Sequence, residues 1–173
     1  MIQDTIKSLA STYFEEYRSI RHHLHANPEL SFKEFETSKF VQAQLTSIGI
    51  PFSILGETGV IGIIKGNPSN RVIALRADMD ALPIHEENKV SYASTKDGVM
   101  HACGHDVHTT CLLGAARILN DLKDQWDGTI KLIFQPGEEG YAGARAMMQD
   151  GLFDRFPCEQ VYALHNSPEL PLG

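Results

Sequence analysis

The stretch RVIALRADMDAL, residues 71–82, decides the fold class, because a nearly uninterrupted apolar run ends in two aspartates. A run of this kind predicts a strand that is buried on both faces of a sheet. TIKLIFQ (129–135) has the same pattern, and QVYALHN (160–166) predicts the last strand. Helical patterns at residues 112–122 and 141–150 separate these strands. The alternation predicts an α/β fold with a mainly parallel sheet.

Two helices and two further strands are predicted ahead of that stretch. Residues 4–25 have the apolar spacing of an amphipathic helix. SFKE (31–34) fits a capping box, in which Ser31 caps a second helix and Glu34 reaches back to its start. PFSIL and GVIGIIKG, within residues 51–66, have the apolar composition of strands. One domain of 173 residues accounts for all of these elements.

Polar clusters stand where the predicted strands end. DMDAL (78–82) follows the first buried strand, PGEEG (136–140) follows the second, and HNSPE (165–169) closes the third. HACGHD (101–106) comes directly before a predicted helix. Because the carboxyl ends of parallel strands share one edge of a sheet, where ligands bind, we expect the four clusters to meet there.

The cluster HACGHDVH (101–108) is rich in metal ligands for a chain with only 8 histidines and 3 cysteines. Thiolate, imidazole and carboxylate together suit a borderline divalent ion such as zinc. Cys103 and His105 are two residues apart, so on extended backbone both side chains face one way. Glu138 and Glu139 are adjacent and point apart, so one can bind a metal ion while the other takes a proton from water. These groups are suited to splitting an amide.

Simpler explanations exist for each residue taken alone. Cys103 could be a small buried apolar residue, Glu138 and Glu139 a solvated pair, and His165 a core histidine. Three coincidences at three strand ends are less plausible than one shared cause. A cysteine nucleophile with a histidine of the same cluster as base is a competing chemistry. It leaves both glutamates and His165 without a role.

Composition bears on partners and location. The formal net charge of −7 argues against a nucleic-acid partner, since phosphate binding needs a basic surface. No apolar run approaches the ~20 residues of a membrane span, and the amphipathic N-terminus does not have the pattern of a signal peptide. The 3 cysteines are too sparse for a disulfide framework. We therefore expect a cytoplasmic protein without nucleic-acid or membrane partners.

Five blocks of the sequence resemble those of one enzyme family, in the order of that family. They are RADMDALPI (76–84), MHACGHDVH (100–108), LIFQPGEEG (132–140), GARAMMQDGLF (143–153) and ALHNSPELPLG (163–173). The opening IRHHLHANPELSFKEFET (20–37) is similar too. The chain resembles the metal-dependent amidohydrolase branch of the aminoacylase and carboxypeptidase G superfamily of metallopeptidases. Hippurate hydrolases and other N-acyl-amino-acid amidohydrolases belong to this branch.

The resemblance implies a two-metal hydrolase with an α/β/α sandwich, the zinc-peptidase-like (phosphorylase/hydrolase-like) catalytic fold. By position, Cys103 matches a thiolate that bridges the two ions, and His105 and His165 match ligands of one ion. Glu139 matches a ligand of the other ion, and Glu138 matches the general base. The cofactors of the family are two divalent ions, which are zinc, manganese, nickel or cobalt in different members.

Two further positions and the substrate class follow from the same resemblance. Asp78 matches an acidic residue that supports the metal ligands from behind them. Arg76 stands where more distant relatives have a metal-binding histidine. The implied partners are small-molecule N-acyl amino acids or related amides, and the implied assembly is a homo-oligomer.

Members of the family are longer than this chain. The resemblance implies that residues 1–173 form the N-terminal part of the catalytic domain. A lid domain and the rest of the catalytic domain, with one more metal-binding histidine, would then be absent. We therefore expect the chain alone to self-associate or to be marginally stable, and to hydrolyse N-acyl amino acids poorly. A non-catalytic metal-binding fragment is the alternative.

Overall fold

The computed structural model describes residues 1–171, so Leu172 and Gly173 of the ALHNSPELPLG block lie outside the described residues. The helices are α1 (Ile2–Ala26), α2 (Phe35–Ser47), α3 (His105–Asp121), α4 (Glu138–Tyr141), α5 (Gly143–Gln149) and α6 (Leu152–Arg155). The strands are β1 (Phe52–Leu55), β2 (Gly59–Lys65), β3 (Asn67–Asp78), β4 (Asp127–Gln135) and β5 (Gln160–Ala163). No helix within residues 1–171 combines the length and the apolar character that crossing a membrane requires.

The five strands form one mixed sheet in the order β1-β2-β4-β3-β5. β3 pairs parallel with β4 and with β5, whereas β1 with β2 and β2 with β4 are antiparallel. The predicted α/β class is confirmed, but the mainly parallel sheet is wrong. The connection between β1 and β2 is too short for the crossover that a parallel pair needs, so these strands must reverse direction.

Side chains alternate between two cores, one on each face of the sheet. Leu132 and Phe134 of β4 point into the larger core, beneath α1, α2 and α3. Ile133 points the other way, against Met147 of α5 and Leu152 of α6. The period of two along β4 thus divides consecutive apolar residues between the two faces. Helices cover both faces of the sheet, and the predicted α/β/α sandwich is confirmed.

The parallel strands place their carboxyl ends together at one edge of the sandwich. Asp78 ends β3 beside Gln135, which ends β4. β5 lies at the outer side of the sheet and ends at Ala163, earlier than the sequence predicts. His165 therefore lies in the segment after β5, where it is exposed.

The predicted capping box is wrong. α2 begins at Phe35, and its first turn is capped by the Glu29 carboxylate, which accepts the N–H groups of Glu36 and Thr37. Ser31 instead donates its hydroxyl to Asp80 Oδ2 at 2.6 Å. Glu34 is completely buried, and its Oε1 accepts the backbone N–H of Gly137 at 2.8 Å. Both side chains bond distant parts of the chain, because a buried donor left without a partner is costly and Glu29 already caps the start of α2.

Candidate metal centre

His105 is the best-fixed side chain at the carboxyl ends of the strands. It is the first residue of α3 and is completely buried. Gly104 precedes it with a φ of 95°, and a Cβ at this position would lie 2.2 Å from Asn166 Oδ1. Only glycine fits there, which explains why a glycine separates Cys103 from His105.

One nitrogen of His105 is engaged and the other is free. His105 Nδ1 lies 2.8 Å from the carbonyl oxygen of Asp80 and 3.1 Å from its carboxylate Oδ1, so Nδ1 donates its proton there. The lone pair is then on Nε2. Among the described residues this buried Nε2 has no hydrogen-bond partner. Metal-binding histidines show this arrangement, in which a carboxylate or carbonyl fixes the tautomer.

Three carboxylates surround the free Nε2 of His105. Asp78 Oδ2 lies 3.7 Å away, Glu139 Oε1 3.8 Å and Glu138 Oε2 3.9 Å. Glu139 Oε1 is also buried without a hydrogen-bond partner within residues 1–171. The Glu138 side chain is 40% exposed and that of Glu139 23%, so the two adjacent carboxylates differ in their access to water.

Cys103 and His165 complete the group. Cys103 Sγ lies 3.4 Å from His165 Nε2, and the ligand atoms of Cys103, His105 and His165 are all within 4.8 Å of one another. His165 Nδ1 donates to the carbonyl oxygen of Asn166 at 2.7 Å, which leaves its Nε2 for another partner. The structure therefore brings all six predicted site residues, including Asp78, together at one place.

The donor set fits a divalent cation. Zinc lies about 2.0–2.3 Å from nitrogen, oxygen and sulfur ligands, which separates neighbouring ligands by roughly 3–4 Å. The spacings around His105 Nε2 have this size. Buried polar atoms without a partner are rare in proteins, and here an imidazole nitrogen and a carboxylate oxygen face each other. Bound cations would supply the missing partner of each atom.

Both carboxylate oxygens of Asp78 accept hydrogen bonds from neighbouring side chains. Its Oδ1 accepts from His108 Nδ1 at 2.7 Å and its Oδ2 accepts from the Arg76 guanidinium at 2.7 Å. Burial alone would raise the pKa of Asp78, but the bond from His108 and the charges of His105 and Arg76 outweigh it and hold the pKa below its usual value. Asp78 is therefore an anion that fixes the side chains around the site.

The surroundings of Cys103 do not favour a cysteine nucleophile. Burial and the nearby carboxylate of Glu139 raise the pKa of the Cys103 thiol to about 11. A reactive cysteine needs a lowered pKa, since the thiolate is the nucleophile. The carboxylates of Glu138 and Asp78 raise this pKa further, whereas a cation beside them would lower it.

Comparison with known proteins assigns the family. Residues 74–173, more than half of the chain, match the model described as peptidase family M20/M25/M40. The chain belongs to peptidase family M20/M25/M40. This assignment confirms the resemblance carried by the five sequence blocks.

Relatives in the M20 family share the sequence closely but extend further. A hippurate hydrolase of Campylobacter jejuni is 48% identical over 154 residues, which are 88% of this chain and 40% of the relative. An N-acetyl-L-cysteine deacetylase of Bacillus subtilis is 46% identical over 164 residues, 94% of this chain and 39% of the relative. The chain thus spans about 40% of the length of these curated relatives.

A solved structure supports the same assignment. It is a Bacillus subtilis protein described as a dinuclear metal binding peptidase from the M20 family. The match has a TM-score of 0.89 and 42% identity, and it covers 93% of this chain and 45% of that one. The fold of residues 1–171 is therefore that of the corresponding part of an M20 peptidase.

The structure adds residues to this M20 site that the sequence analysis did not single out. Asp80 bonds His105, Ser31 and the backbone of Glu139. Burial alone would raise the pKa of Asp80, but these hydrogen bonds lower it to about 2. Asp80 lies two residues after Asp78, and on an extended chain the two side chains share a face, so the sequence already placed Asp80 near the site. His108 had a similar signal, since it lies one helical turn after His105.

A second buried group lies between α1, α3 and the long loop before α3. His25 Nδ1 donates to Asp106 Oδ2 at 2.8 Å, and His25 Nε2 donates to Glu86 Oε1 at 3.1 Å. Polar residues of an amphipathic helix are mostly exposed, but His25 is 4% exposed and links the first helix to the residue after His105.

We expect the His25–Asp106 pair to stabilise the fold more at pH 6 than at pH 9. The bond to Asp106 raises the pKa of His25 above 6.5, so its stabilisation is complete below pH 6.5 and is lost as the pH rises through the raised value. Asp106 stays ionised throughout, because the bond from His25 outweighs burial and its pKa is lowered.

His25→Gln isolates this contribution. The free energy of unfolding in urea should differ between the chain and the variant by on the order of 1 kcal/mol at pH 6, and the difference should shrink towards pH 9. Other groups titrate equally in both proteins and cancel. A difference that stays constant over this range would show that the His25 charge does not contribute.

Proposed function

We propose that the chain carries the metal centre of an amidohydrolase that splits the amide bond of N-acyl amino acids or related small amides. The observation that carries the proposal is the pair of buried, unpartnered atoms His105 Nε2 and Glu139 Oε1 within residues 1–171, with Cys103 beside them. Relatives named hippurate hydrolase and N-acetyl-L-cysteine deacetylase support the substrate class.

Each residue of the group has a distinct proposed role. Cys103 would bridge two divalent cations, His105 and His165 would bind one of them, and Glu139 would bind the other. When bound, the cations supply Lewis acidity and lower the pKa of water towards about 7. Glu138 would accept a proton from the attacking water and later donate it to the leaving amine. Its greater exposure compared with Glu139 suits a group that exchanges protons with water.

Asp78 and Asp80 support these roles without touching the substrate. Asp80 keeps the proton of His105 on Nδ1, so that Nε2 can bind a cation. Asp78 holds His108 and Arg76, and its negative charge adds to the attraction for cations. The Arg76 guanidinium is paired with Asp78 and therefore does not place a free positive charge beside the ligands.

We propose chemical classes for the cofactors and partners. The cations are zinc, manganese, nickel or cobalt, since all four accept thiolate, imidazole and carboxylate ligands. The partner is a small-molecule N-acyl amino acid, and a homo-oligomer in the cytoplasm is the proposed setting. β5 leaves Val161 and Tyr162 exposed at the outer side of the sheet, which supports association with further protein.

Metal depletion and restoration test the proposed function. Release of free amino acid from N-acetyl and N-benzoyl amino acids should stop after chelation and return when a single divalent metal is added. Turnover that survives chelation but is lost on thiol alkylation would instead support a cysteine-dependent hydrolase. We expect low turnover from residues 1–173 alone. A chimaera that continues residue 173 with the remainder of the Campylobacter hippurate hydrolase would provide the longer form.

We expect one tight and one weak cation site in the chain. Cys103, His105 and His165 form one ligand group and would hold the first cation. The proposed roles leave only Cys103 and Glu139 for the second cation. Zinc sites usually have three or four protein ligands, so the second site is incomplete. Calorimetric titration of the chelator-treated chain should resolve two affinities. Two equally tight sites would contradict this assignment of ligands.

A non-catalytic metal-binding module is the second candidate. Its supporting observation is that the chain spans about 40% of the length of its curated relatives. Cation binding without any turnover in the chain, together with turnover in the chimaera, would favour this reading for the chain alone.

A further inference from the structure

We propose that Glu34 is a positioning residue for the Glu138–Glu139 pair and acts through the backbone N–H of Gly137. The inference deepens the proposed function and rests on it for its effect on turnover. The positional claim stands on geometry alone. Glu34 lies between α1 and α2, outside the motifs that carry the metal ligands, and it is completely buried.

The segment that carries the two glutamates is irregular and needs support from outside. Gly137 has a φ of 57° and Gly140 a φ of 82°, and Glu139 has non-helical dihedral angles inside the short α4. A regular helix would fix its residues through its own backbone bonds, but this turn lacks that ladder. The direction of the Glu138 side chain therefore depends on what bonds the backbone on either side of it.

Two buried carboxylates bond the backbone on the two sides of Glu138. Glu34 Oε1 accepts the N–H of Gly137 at 2.8 Å, just before it. Asp80 Oδ2 accepts the N–H of Glu139 at 3.0 Å, just after it. Both acceptors are carboxyl oxygens, and both bonds are shielded from water, where an intramolecular hydrogen bond is stronger. The two bonds limit how far Glu138 can move relative to His105.

The position of Glu34 is itself determined by the surrounding structure. Its second oxygen accepts the hydroxyl of Thr58 at 3.0 Å. Phe32, two residues earlier, has a φ of 58°, and a Cβ added at Gly137 would lie 3.0 Å from its ring. Residues 31–34 thus contact the turn that carries Glu138 and Glu139 through the Phe32 ring and the Glu34 carboxylate. This segment is the one in which the sequence predicts a capping box.

Asp80 and Glu34, which both bond the backbone of this turn, differ in their other hydrogen-bond partners. Asp80 also bonds His105, so a change there alters a metal ligand directly. Glu34 bonds Thr58 and Gly137 but none of the predicted metal ligands. Changing Glu34 therefore alters a bond to the turn that carries Glu138 and Glu139 without altering a bond to His105. This makes Glu34 the informative residue to change.

Three variants of the 173-residue chain test the inference. Glu34→Ala removes both bonds of the carboxylate. Glu34→Gln keeps both, since its amide oxygen can accept from Gly137 while its NH₂ donates to the Thr58 hydroxyl. Thr58→Val removes only the bond between Thr58 and Glu34. Amide hydrogen exchange by NMR at Gly137 reports the link, and exchange at the buried strand residue Leu132 reports global stability.

We expect Glu34→Ala to speed exchange at Gly137 by about tenfold relative to Leu132, as loss of a buried hydrogen bond does. Glu34→Gln should restore protection, and Thr58→Val should change the ratio by less than about threefold. In Glu34→Ala, only the weak cation affinity should fall, since Glu139 belongs to that site and the Cys103–His105–His165 site does not depend on the turn.

Equal loss of protection at Gly137 and Leu132 in Glu34→Ala would overturn the inference, because Glu34 would then be a residue of general stability. Unchanged exchange at Gly137 would overturn it as well. The exchange experiment needs neither metal nor turnover. If Glu138 proves not to be the base, the proposed function fails while the link from Glu34 to Gly137 is still decided by exchange.

Discussion

Replacing Glu138 by glutamine is expected to slow amide hydrolysis by a factor of about 10²–10⁴, because the amide cannot accept a proton from the attacking water. Cation binding should change little. Glu138 Oε2 lies 3.9 Å from His105 Nε2, and its side chain is 40% exposed. A group in that position is close enough to act on a water at the centre and open enough to exchange its proton.

Glutamine at position 139 should have the opposite effect. Glu139 Oε1 is buried and unpartnered within the described chain, so its charge is expected to bind a cation. Glu139→Gln should therefore lower metal content first and turnover as a consequence. Glu36→Gln is the matched control, since Glu36 is exposed on α2 and pairs only with Lys39 in the described residues. Turnover is measured in the chimaera and metal content in both forms.

The opposite pattern would exchange the two roles. If Glu138→Gln lost the metal and Glu139→Gln kept it, Glu139 would be the base and Glu138 the ligand. If neither variant altered metal content or turnover, the PGEEG turn would not belong to the active site at all.

The arrangement of the site follows from the sequence wherever it depends on strand ends. RVIALRA and TIKLIFQ are apolar enough to be central strands, and parallel strands must place Asp78 and PGEEG at the same edge. Cys103 and His105 do lie together as predicted, but not on extended backbone, because Gly104 is left-handed and α3 begins at His105. The strand-end predictions use the period of two and the order of elements, which a single sequence contains.

Contacts between distant segments could not be predicted in this way. SFKE satisfies the local rule for a capping box, yet Ser31 bonds Asp80 and Glu34 bonds Gly137 in the folded chain. A local pattern indicates only which nearby residues can bond each other. In the fold, each of these side chains bonds a buried group far along the chain instead. The same holds for His25, whose partners Asp106 and Glu86 lie on other elements.

Strand direction shows a similar limit. The apolar run of β2 suits a parallel or an antiparallel neighbour equally well. Its antiparallel pairing with β4 is fixed by the short connections on either side of β2, at residues 56–58 and at Gly66. Loop length was visible in the sequence and was the better guide to direction than the composition of the strand.

Loss of the Cys103 thiol should have the largest effect on cation binding. As the proposed bridge it contributes to both sites, so Cys103→Ser removes a ligand from each. Removing a residue that merely supports a metal ligand costs about 10–100-fold in affinity, and loss of a shared ligand should exceed that, on the order of 10² or more. Calorimetric titration of the chelator-treated variant measures both affinities.

The remaining cysteines provide matched controls. Cys111 lies within α3 and Cys158 precedes β5, and neither belongs to the ligand groups found among the described residues. Cys111→Ser and Cys158→Ser should therefore bind cations as the parent chain does. A Cys103→Ser variant with undiminished affinity at both sites would remove the thiolate from the proposed centre.

Cobalt(II) absorption spectroscopy tests the central claim most directly, since a thiolate bound to cobalt gives a charge-transfer band that oxygen and nitrogen ligands do not. Cobalt added to the chelator-treated chain should produce this band, and the band should rise with the first equivalent of metal. It should be absent in Cys103→Ser and present in Cys111→Ser and Cys158→Ser. No band in the parent chain, or a band that persists in Cys103→Ser, would contradict a metal centre built on Cys103, His105 and His165.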